Sequence, residues 1–296
     1  MALARSLFLM ASTNLPASQI YDTGVLRSAD AAVIAANDQA LVQGLALFET
    51  LMAIRGRAFA VSEHLERLGK GARRFGLTPP GEDLLRGAIS TVIRANALED
   101  HPRTRVRVTL TAGPGDRRLA PDAAAQRLLI EASPAPEYPE IAHLITVPYC
   151  RNDRGALVGL KTINYAENAL AAAAARRAGA DEALFPNTRD QLCEATWANV
   201  FVYLHGRVLT PPLESGCLPG VTREIVIRLA RELGIAMIES DLAMDTLGEI
   251  EGAFLTSTLR GLQGVGSING RAMPLVPCPP FAELRHAYGL CLASGV

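Results

Sequence analysis

The sequence predicts an α+β protein of two domains, and three observations carry that prediction. Strand-like and helix-like patterns succeed one another along 296 residues. That length exceeds the roughly 100–200 residues of one typical domain. Three prolines, Pro134, Pro136 and Pro139, fall within residues 131–141; proline fixes φ and removes a backbone donor, so this stretch reads as an extended linker. The expected parts are a small α/β domain over 1–133, a linker over 134–141 and a larger domain over 142–296.

Each element has a local reason. Residues 1–11 carry one Arg and a short apolar run, Ser6 to Ala11, below the ~7–15 residues of a signal peptide core. They read as a lead-in to a first strand, and the chain as cytoplasmic. ALFETLMAI and RAFAV flank Arg55-Gly56-Arg57 as a hairpin over 46–60. SEHLERLGKGARRFGL follows as a helix, with Ser62 as a cap and Leu65, Leu68, Ala72 and Phe75 at 3–4 spacing. A second helical pattern covers 84–98. Residues 105–112 alternate: Arg105, Arg107, Thr109 and Thr111 face one way, Val106, Val108 and Leu110 the other, a half-buried strand. Past the linker, ITVPY predicts a strand over 145–149, and 166–178 a helix stopped by Gly179. DEALFPN, QLCEATWANVFVYL and RVLTPP predict strands separated by turns at Asn187 and His205-Gly206. LPGVTREIVIRLARELGI is an amphipathic helix ending at Gly234, and AFLTST is a further strand.

Composition removes several classes of function. A net charge of -1 and 5% aromatic residues argue against nucleic acid or an anionic membrane as partner. No apolar run approaches the ~18 residues of a membrane span. The five cysteines form no CxxC pair and the five histidines no HxxxH pair, so neither a disulfide framework nor a metal site is expected. There is no GxxxxGK[ST], GxSxG or GxGxxG between strand and helix.

Four features could carry chemistry. Only Lys70 and Lys161 among the 29 basic residues are lysines, and an arginine cannot form a Schiff base or release a proton near neutral pH. Lys161 lies in a turn between a strand and a helix, where side chains reach clefts; a lone lysine is otherwise a solvated charge. Glu194 sits in an apolar strand and needs a cation or ring nitrogen if buried, or else an exposed face. Leu218-Pro219-Gly220-Val221-Thr222 opens a helix whose first amides can take phosphate, or is an ordinary cap. Arg67 is a cation on a helix face, with Glu63 its simplest partner. Together an amine, an acid and phosphate ligands are what pyridoxal phosphate requires.

The runs GLALFET, HLERL, RVRVTLTAGPG, GLKTINYAENALA, GADEALF, CEATWANVF, TPPLESGCLPGVTRE and AFLTSTLRG resemble, in order and spacing, the class IV aminotransferases, the fold-type IV pyridoxal phosphate enzymes. The resemblance covers about 32–270. It implies a small α/β domain and a larger pseudo-barrel domain with the site between them, in a homodimer whose small-domain loop borders the neighbouring site. It implies that Lys161 holds the cofactor as a Schiff base and shuttles a proton. Glu194 would pair with the ring nitrogen and Tyr165 with the ring oxygen. Arg67, Thr222 and Thr258, with the Val221 and Thr222 amides, would bind phosphate. Substrate residues would be Phe48, Thr50, Arg107 and Leu259.

Three branches of the family differ at a few positions. Arg107 matches a strand arginine of branched-chain aminotransferases, which typically also carry an Arg four residues after the Phe of FExxR; Met52 stands there. D-amino-acid aminotransferases usually have Arg where this chain has Ala112. Thr50 matches a threonine implicated in aminodeoxychorismate lyases, which release pyruvate and 4-aminobenzoate. The first expectation is transamination between an amino acid, branched-chain-like, and a 2-oxo acid such as 2-oxoglutarate. The lyase, acting on aminodeoxychorismate, is the alternative, and a non-catalytic cofactor carrier or interaction protein the reading from another class.

Overall fold

The computed structural model describes residues 18–31, 34–116, 121–274 and 278–295; the expected lead-in over 1–11 lies outside them. Two sheets organise the chain. The first contains β1 (Gln19–Asp22), β2 (Val25–Ser28), β3 (Ala46–Ile54), β4 (Arg57–Ala58), β5 (Thr104–Thr111) and β6 (Arg127–Pro134) in the order β2-β1-β6-β5-β3-β4. A short helix α1 (Gln39–Gln43) precedes β3, and two longer ones, α2 (Val61–Arg74) and α3 (Glu82–Ala95), cover one face of the sheet. Leu47, Leu51, Val106, Val108 and Ile130 from the strands pack with Leu68, Ala72, Leu85, Ile89 and Val92 from these helices.

The predicted alternation of residues 105–111 appears in β5, whose even-numbered residues are buried and whose arginines are half-buried. Ser62 does not cap α2: Ala60 holds the cap position at φ 53 with no side-chain bond, and the Ser62 hydroxyl instead donates to Glu82. The cap falls two residues earlier than expected, so Ser62 lies inside the first turn of the helix. Gly71 decides how close α2 can come to β3, since a Cβ there would meet Leu47 Cδ2 at 2.8 Å.

The second sheet contains β7 (Ile141–Thr146), β8 (Glu182–Pro186), β9 (Leu192–Ala195), β10 (Asn199–Leu204), β11 (Arg207–Thr210), β12 (Met237–Glu239), β13 (Gly252–Ser257), β14 (Gly261–Ile268) and β15 (Arg271–Ala272). Its order is β12-β11-β10-β13-β14-β7-β8-β9, with β15 on β14. Three helices complete this half: α4 (Ala166–Arg177), α5 (Val221–Glu232) and α6 (Phe281–Ser294). The strand expected over 145–149 is placed earlier, at Ile141–Thr146. Its parallel partners β14 and β8 lie in sequence far beyond it, and that long-range pairing sets its limits. Gly179 and Gly234 stand in the left-handed region just past α4 and α5 (φ 70 and 69), as the expected helix stops require.

A backbone connection joins the two halves. Strand β4 pairs with Ala53 and Ile54 of β3, leaving the other end of that edge to a different partner. The segment around Lys161 fills it: the Phe48 amide donates to the Lys161 carbonyl at 2.9 Å, and the Ile163 amide to the Ala46 carbonyl at 3.1 Å.

Candidate active site

This seam fixes Lys161 against Phe48. The Lys161 Nζ lies 4.6 Å from the Phe48 ring centroid and donates to the Tyr165 hydroxyl at 3.1 Å. Burial, with the Arg67 charge acting in the same direction, pushes the amine down to about 8. Tyr165 stands one turn further on, at the N-terminus of α4. Its ring meets Phe48 edge-on at 5.0 Å and stacks on Trp197 at 5.5 Å. Burial raises its hydroxyl to about 12, so it remains a proton donor at neutral pH.

Arg67 does not pair with Glu63. Its Nε and one terminal nitrogen donate to the two oxygens of Glu49 at 2.8 and 2.6 Å, and its other terminal nitrogen donates to the Pro219 carbonyl at 2.8 Å. Glu49 is a carboxylate on the core-facing side of β3, between Leu47 and Leu51. It is tolerated there because α2 supplies both Arg67 and His64, whose Nδ1 lies 2.7 Å from Glu49 Oε2. Burial acts to raise the Glu49 carboxyl, but the Arg67 charge and the bonds from Arg67 and His64 outweigh it and hold the group down to about 2. Burial keeps His64 below its usual range. With an ionised acceptor opposite, its Nδ1 carries the proton.

The turn Leu218-Pro219-Gly220 is where these groups converge. The Leu218 amide donates to Glu194 at 2.9 Å, the Leu218 carbonyl accepts from Asn199 at 2.8 Å, and the Pro219 carbonyl accepts from Arg67. A Cβ on Gly220 would meet Asn199 Oδ1 at 2.0 Å, so a larger residue here would force the Asn199 side chain, which holds the Leu218 carbonyl, to shift. Gly220 is the cap residue of α5 and makes no side-chain cap. The Val221 and Thr222 amides therefore open a helix that lacks the usual side-chain acceptor, beside the Arg67 guanidinium, which suits an anion. Asn199 also pairs in register with Thr256. That places the turn after β13, with Thr258 and Leu259, close to the start of α5. Arg103 donates to the Leu259 carbonyl.

Glu194 is mostly buried, and Arg151 meets it at 3.0 Å from Nε. Arg151 also reaches Glu167 and lies over the Phe185 ring. On the sheet wall, the Arg107 guanidinium carbon lies 3.9 Å from the Phe48 ring centroid, and burial lowers its pKa. Thr50 sits opposite Arg107 in register. Of the expected residues, Phe48, Arg107, Lys161 and Tyr165 are in contact or one residue removed; Arg67, Glu194, Val221 and Thr222 gather on the 218–220 turn. Thr50 and Leu259 join through Arg107 and Arg103, and Thr258 through the register of β13.

Four residues escaped sequence reasoning: Glu49, His64, Arg151 and Trp197. A signal existed for the first, since Glu49 interrupts an apolar strand and shares its face with Leu47 and Leu51. An amine at the focus, an anion-ready helix start with an arginine, and a fixed carboxylate fit an aldehyde cofactor with phosphate and ring-nitrogen ends.

The model of the family described as amino-transferase class IV matches residues 46–268. The chain belongs to that family. A provisionally named branched-chain-amino-acid aminotransferase of Methanocaldococcus jannaschii is 30% identical over 261 residues, 86% of this chain and 89% of that one. A bifunctional aminodeoxychorismate lyase / D-amino acid transaminase of Mycobacterium tuberculosis is 28% identical over 276 residues, 85% and 92% of the two chains. Among solved structures, the branched-chain aminotransferase of the thermophilic archaeon Thermoproteus uzoniensis, determined with norvaline, superposes with a TM-score of 0.85 at 26% identity, covering 93% of this chain and 95% of that one. The architecture of this class IV aminotransferase is fold-type IV, with mixed helices and sheets and a curled half-barrel sheet in its second half. Its cofactor is pyridoxal 5'-phosphate. No helix among the described residues is long and apolar enough to cross a membrane.

Proposed function

We propose that the chain is a pyridoxal-phosphate-dependent aminotransferase that moves an amino group between an amino acid, branched-chain-like, and a 2-oxo acid. The observation that carries this is Lys161: an amine held by Phe48 and Tyr165, pushed down to about 8, at the seam of the two sheets. When bound, pyridoxal phosphate supplies an aldehyde for amines to condense with and a conjugated ring that draws charge from the substrate Cα. Lys161 carries the cofactor, then takes and returns one proton at Cα. An amine near pH 8 is suited to both directions of that transfer. Arg67, Thr222, Thr258 and the Val221 and Thr222 amides hold the phosphate. Glu194, kept in place by Arg151 and the Leu218 amide, accepts the ring N–H, and Tyr165 donates to the ring oxygen. Phe48, Thr50, Arg107 and Leu259 line the substrate side. The working unit in this reading is a cytoplasmic homodimer.

A second reading is 4-amino-4-deoxychorismate lyase activity. Thr50 beside Arg107 favours it, as does Met52 where the branched-chain enzymes carry arginine. The two readings part after the first proton transfer. Single-turnover spectra of the loaded enzyme with L-amino acids, D-amino acids and aminodeoxychorismate separate them. Lasting loss of the visible band with one amino-acid class supports the aminotransferase. Release of pyruvate and 4-aminobenzoate with the band restored supports the lyase. Lys161→Ala is expected to abolish both the visible band and turnover; retained turnover would sink either reading, and no turnover by the wild type would leave the non-catalytic carrier.

A further inference from the structure

Trp197, the single tryptophan of the chain, is 45% exposed although its neighbours Thr196 and Ala198 are buried. A lone exposed apolar side chain is ordinary on a protein surface. What sets this one apart is how firmly its backbone is fixed and what its ring covers. The Trp197 amide donates at 3.1 Å to Glu182, a fully buried carboxylate that also accepts from Arg260. Next to it, the Thr196 hydroxyl accepts from the Ala183 amide at 3.1 Å and lies 3.2 Å from the Ala183 carbonyl, to which it donates. The indole therefore projects from a pinned turn between β9 and β10.

There it stacks on Tyr165, with ring centroids 5.5 Å apart and planes inclined by 21°. Phe48, from the other sheet, meets the same ring at 72°. Tyr165 is thus gripped by aromatic contacts from both halves of the molecule. Its own place in the chain restrains it little: it precedes α4 and its side chain makes no cap bond to the helix. A phenol oxygen lies on the axis of its ring, so the torsion nearest the backbone decides where that oxygen goes, and a stacked neighbour restrains that torsion. The Lys161 Nζ donates to this oxygen at 3.1 Å. An indole pressed against the Tyr165 ring therefore acts on the amine at one remove.

We infer that, with Lys161 as the reactive amine proposed above, Trp197 is a positioning residue: its indole holds Tyr165 so that the phenol oxygen stays within bonding reach of Lys161. Its effect is on the orientation of the amine and requires no contact between the indole and the cofactor. A phenylalanine at 197 keeps a flat stacking face, and an alanine does not.

The test follows capture of pyridoxal 5'-phosphate by the cofactor-free protein, read as growth of the visible band. It compares the wild type, Trp197→Ala, Trp197→Phe, Tyr165→Phe and the double variant Trp197→Ala with Tyr165→Phe. Trp197→Ala is expected to slow capture about tenfold, and Trp197→Phe to recover most of the rate. In the Tyr165→Phe background, which has no phenol oxygen to place, Trp197→Ala is expected to change the rate by less than about twofold. An undiminished rate in Trp197→Ala, or the same loss with and without the phenol oxygen, would overturn the positioning role. Near-UV circular dichroism of the cofactor-free protein supplies a second readout, at the long-wavelength edge where Trp197 alone absorbs. That signal is expected to fall by about half or more when Tyr165→Leu removes the stacked ring; an unchanged signal would also overturn the role. No capture by the wild type, or capture by Lys161→Ala at the wild-type rate, defeats the reading of Lys161 and the role of Trp197 with it. Capture that depends on Lys161 but not on Trp197 defeats the role of Trp197 alone.

Discussion

Replacing Glu49 by Gln tests the group that holds Arg67 in place. In the wild type, Glu49 accepts two bonds from Arg67, at 2.8 and 2.6 Å, and one from His64 at 2.7 Å. The carboxyl is held down to about 2, from 4.5. At about 1.4 kcal/mol per unit, that displacement corresponds to about 3 kcal/mol of stability carried by the ionised form. Removal of one partner of a buried ion pair falls in the same range, about 3–5 kcal/mol, because the remaining charge stays buried. The sign follows from the direction: a lowered carboxyl contributes fully above 4.5 and loses that contribution as the pH falls towards 2. Urea unfolding of cofactor-free wild type and Glu49→Gln is therefore expected to show a gap of about 3 kcal/mol, constant between about pH 6 and pH 8. A gap below about 1 kcal/mol, or one that closes between about pH 8 and pH 6, would refute the assignment of Glu49 as the ionised counter-charge of Arg67.

The remaining predictions concern its neighbours. His64 is held below 6.5 by burial, so the unfolded chain takes up its proton first, and stability is lost as the pH falls below 6.5, at up to about 1.4 kcal/mol per pH unit. Unfolding of His64→Gln at about pH 7.5 and 5.5 should show a shallower fall; equal slopes would remove His64 from the account. Capture of pyridoxal phosphate by the cofactor-free protein should accelerate roughly tenfold per pH unit up to about pH 8 and then level, following the free Lys161 amine; a flat profile between about pH 6 and pH 8 contradicts this. Arg67→Gln should weaken equilibrium binding of pyridoxal phosphate about tenfold or more and that of pyridoxal, which has no phosphate, much less. An equal loss for both would place Arg67 outside the phosphate site.

What the sequence disclosed follows physical range. Local patterns were legible: the alternation of β5, the helix stops at Gly179 and Gly234, the hairpin around Arg55-Gly56. Elements whose limits depend on distant partners were not. β7 is bounded by β14 and β8, and β6 is held between β5 and β1, its partners on either side. The same division runs through the site. Lys161 stood out because the chain has so few lysines, and Glu194 because it interrupts an apolar strand. Glu49 interrupts one too, but its meaning depended on α2 lying close enough at Gly71 to deliver His64 and Arg67 together.

Arg151 shows why such partners matter to function. In the proposed role Glu194 presents a carboxylate oxygen to the ring N–H, so what holds that side chain decides whether it can. Arg151 supplies the opposing charge at 3.0 Å and is itself steadied by Glu167 and the Phe185 ring. The Leu218 amide occupies the other Glu194 oxygen. The turn that orients this acid is also the turn that opens α5 and accepts Arg67. Displacement of 218–220 would therefore disturb the Glu194 contact, the Arg67 contact and the start of α5 together.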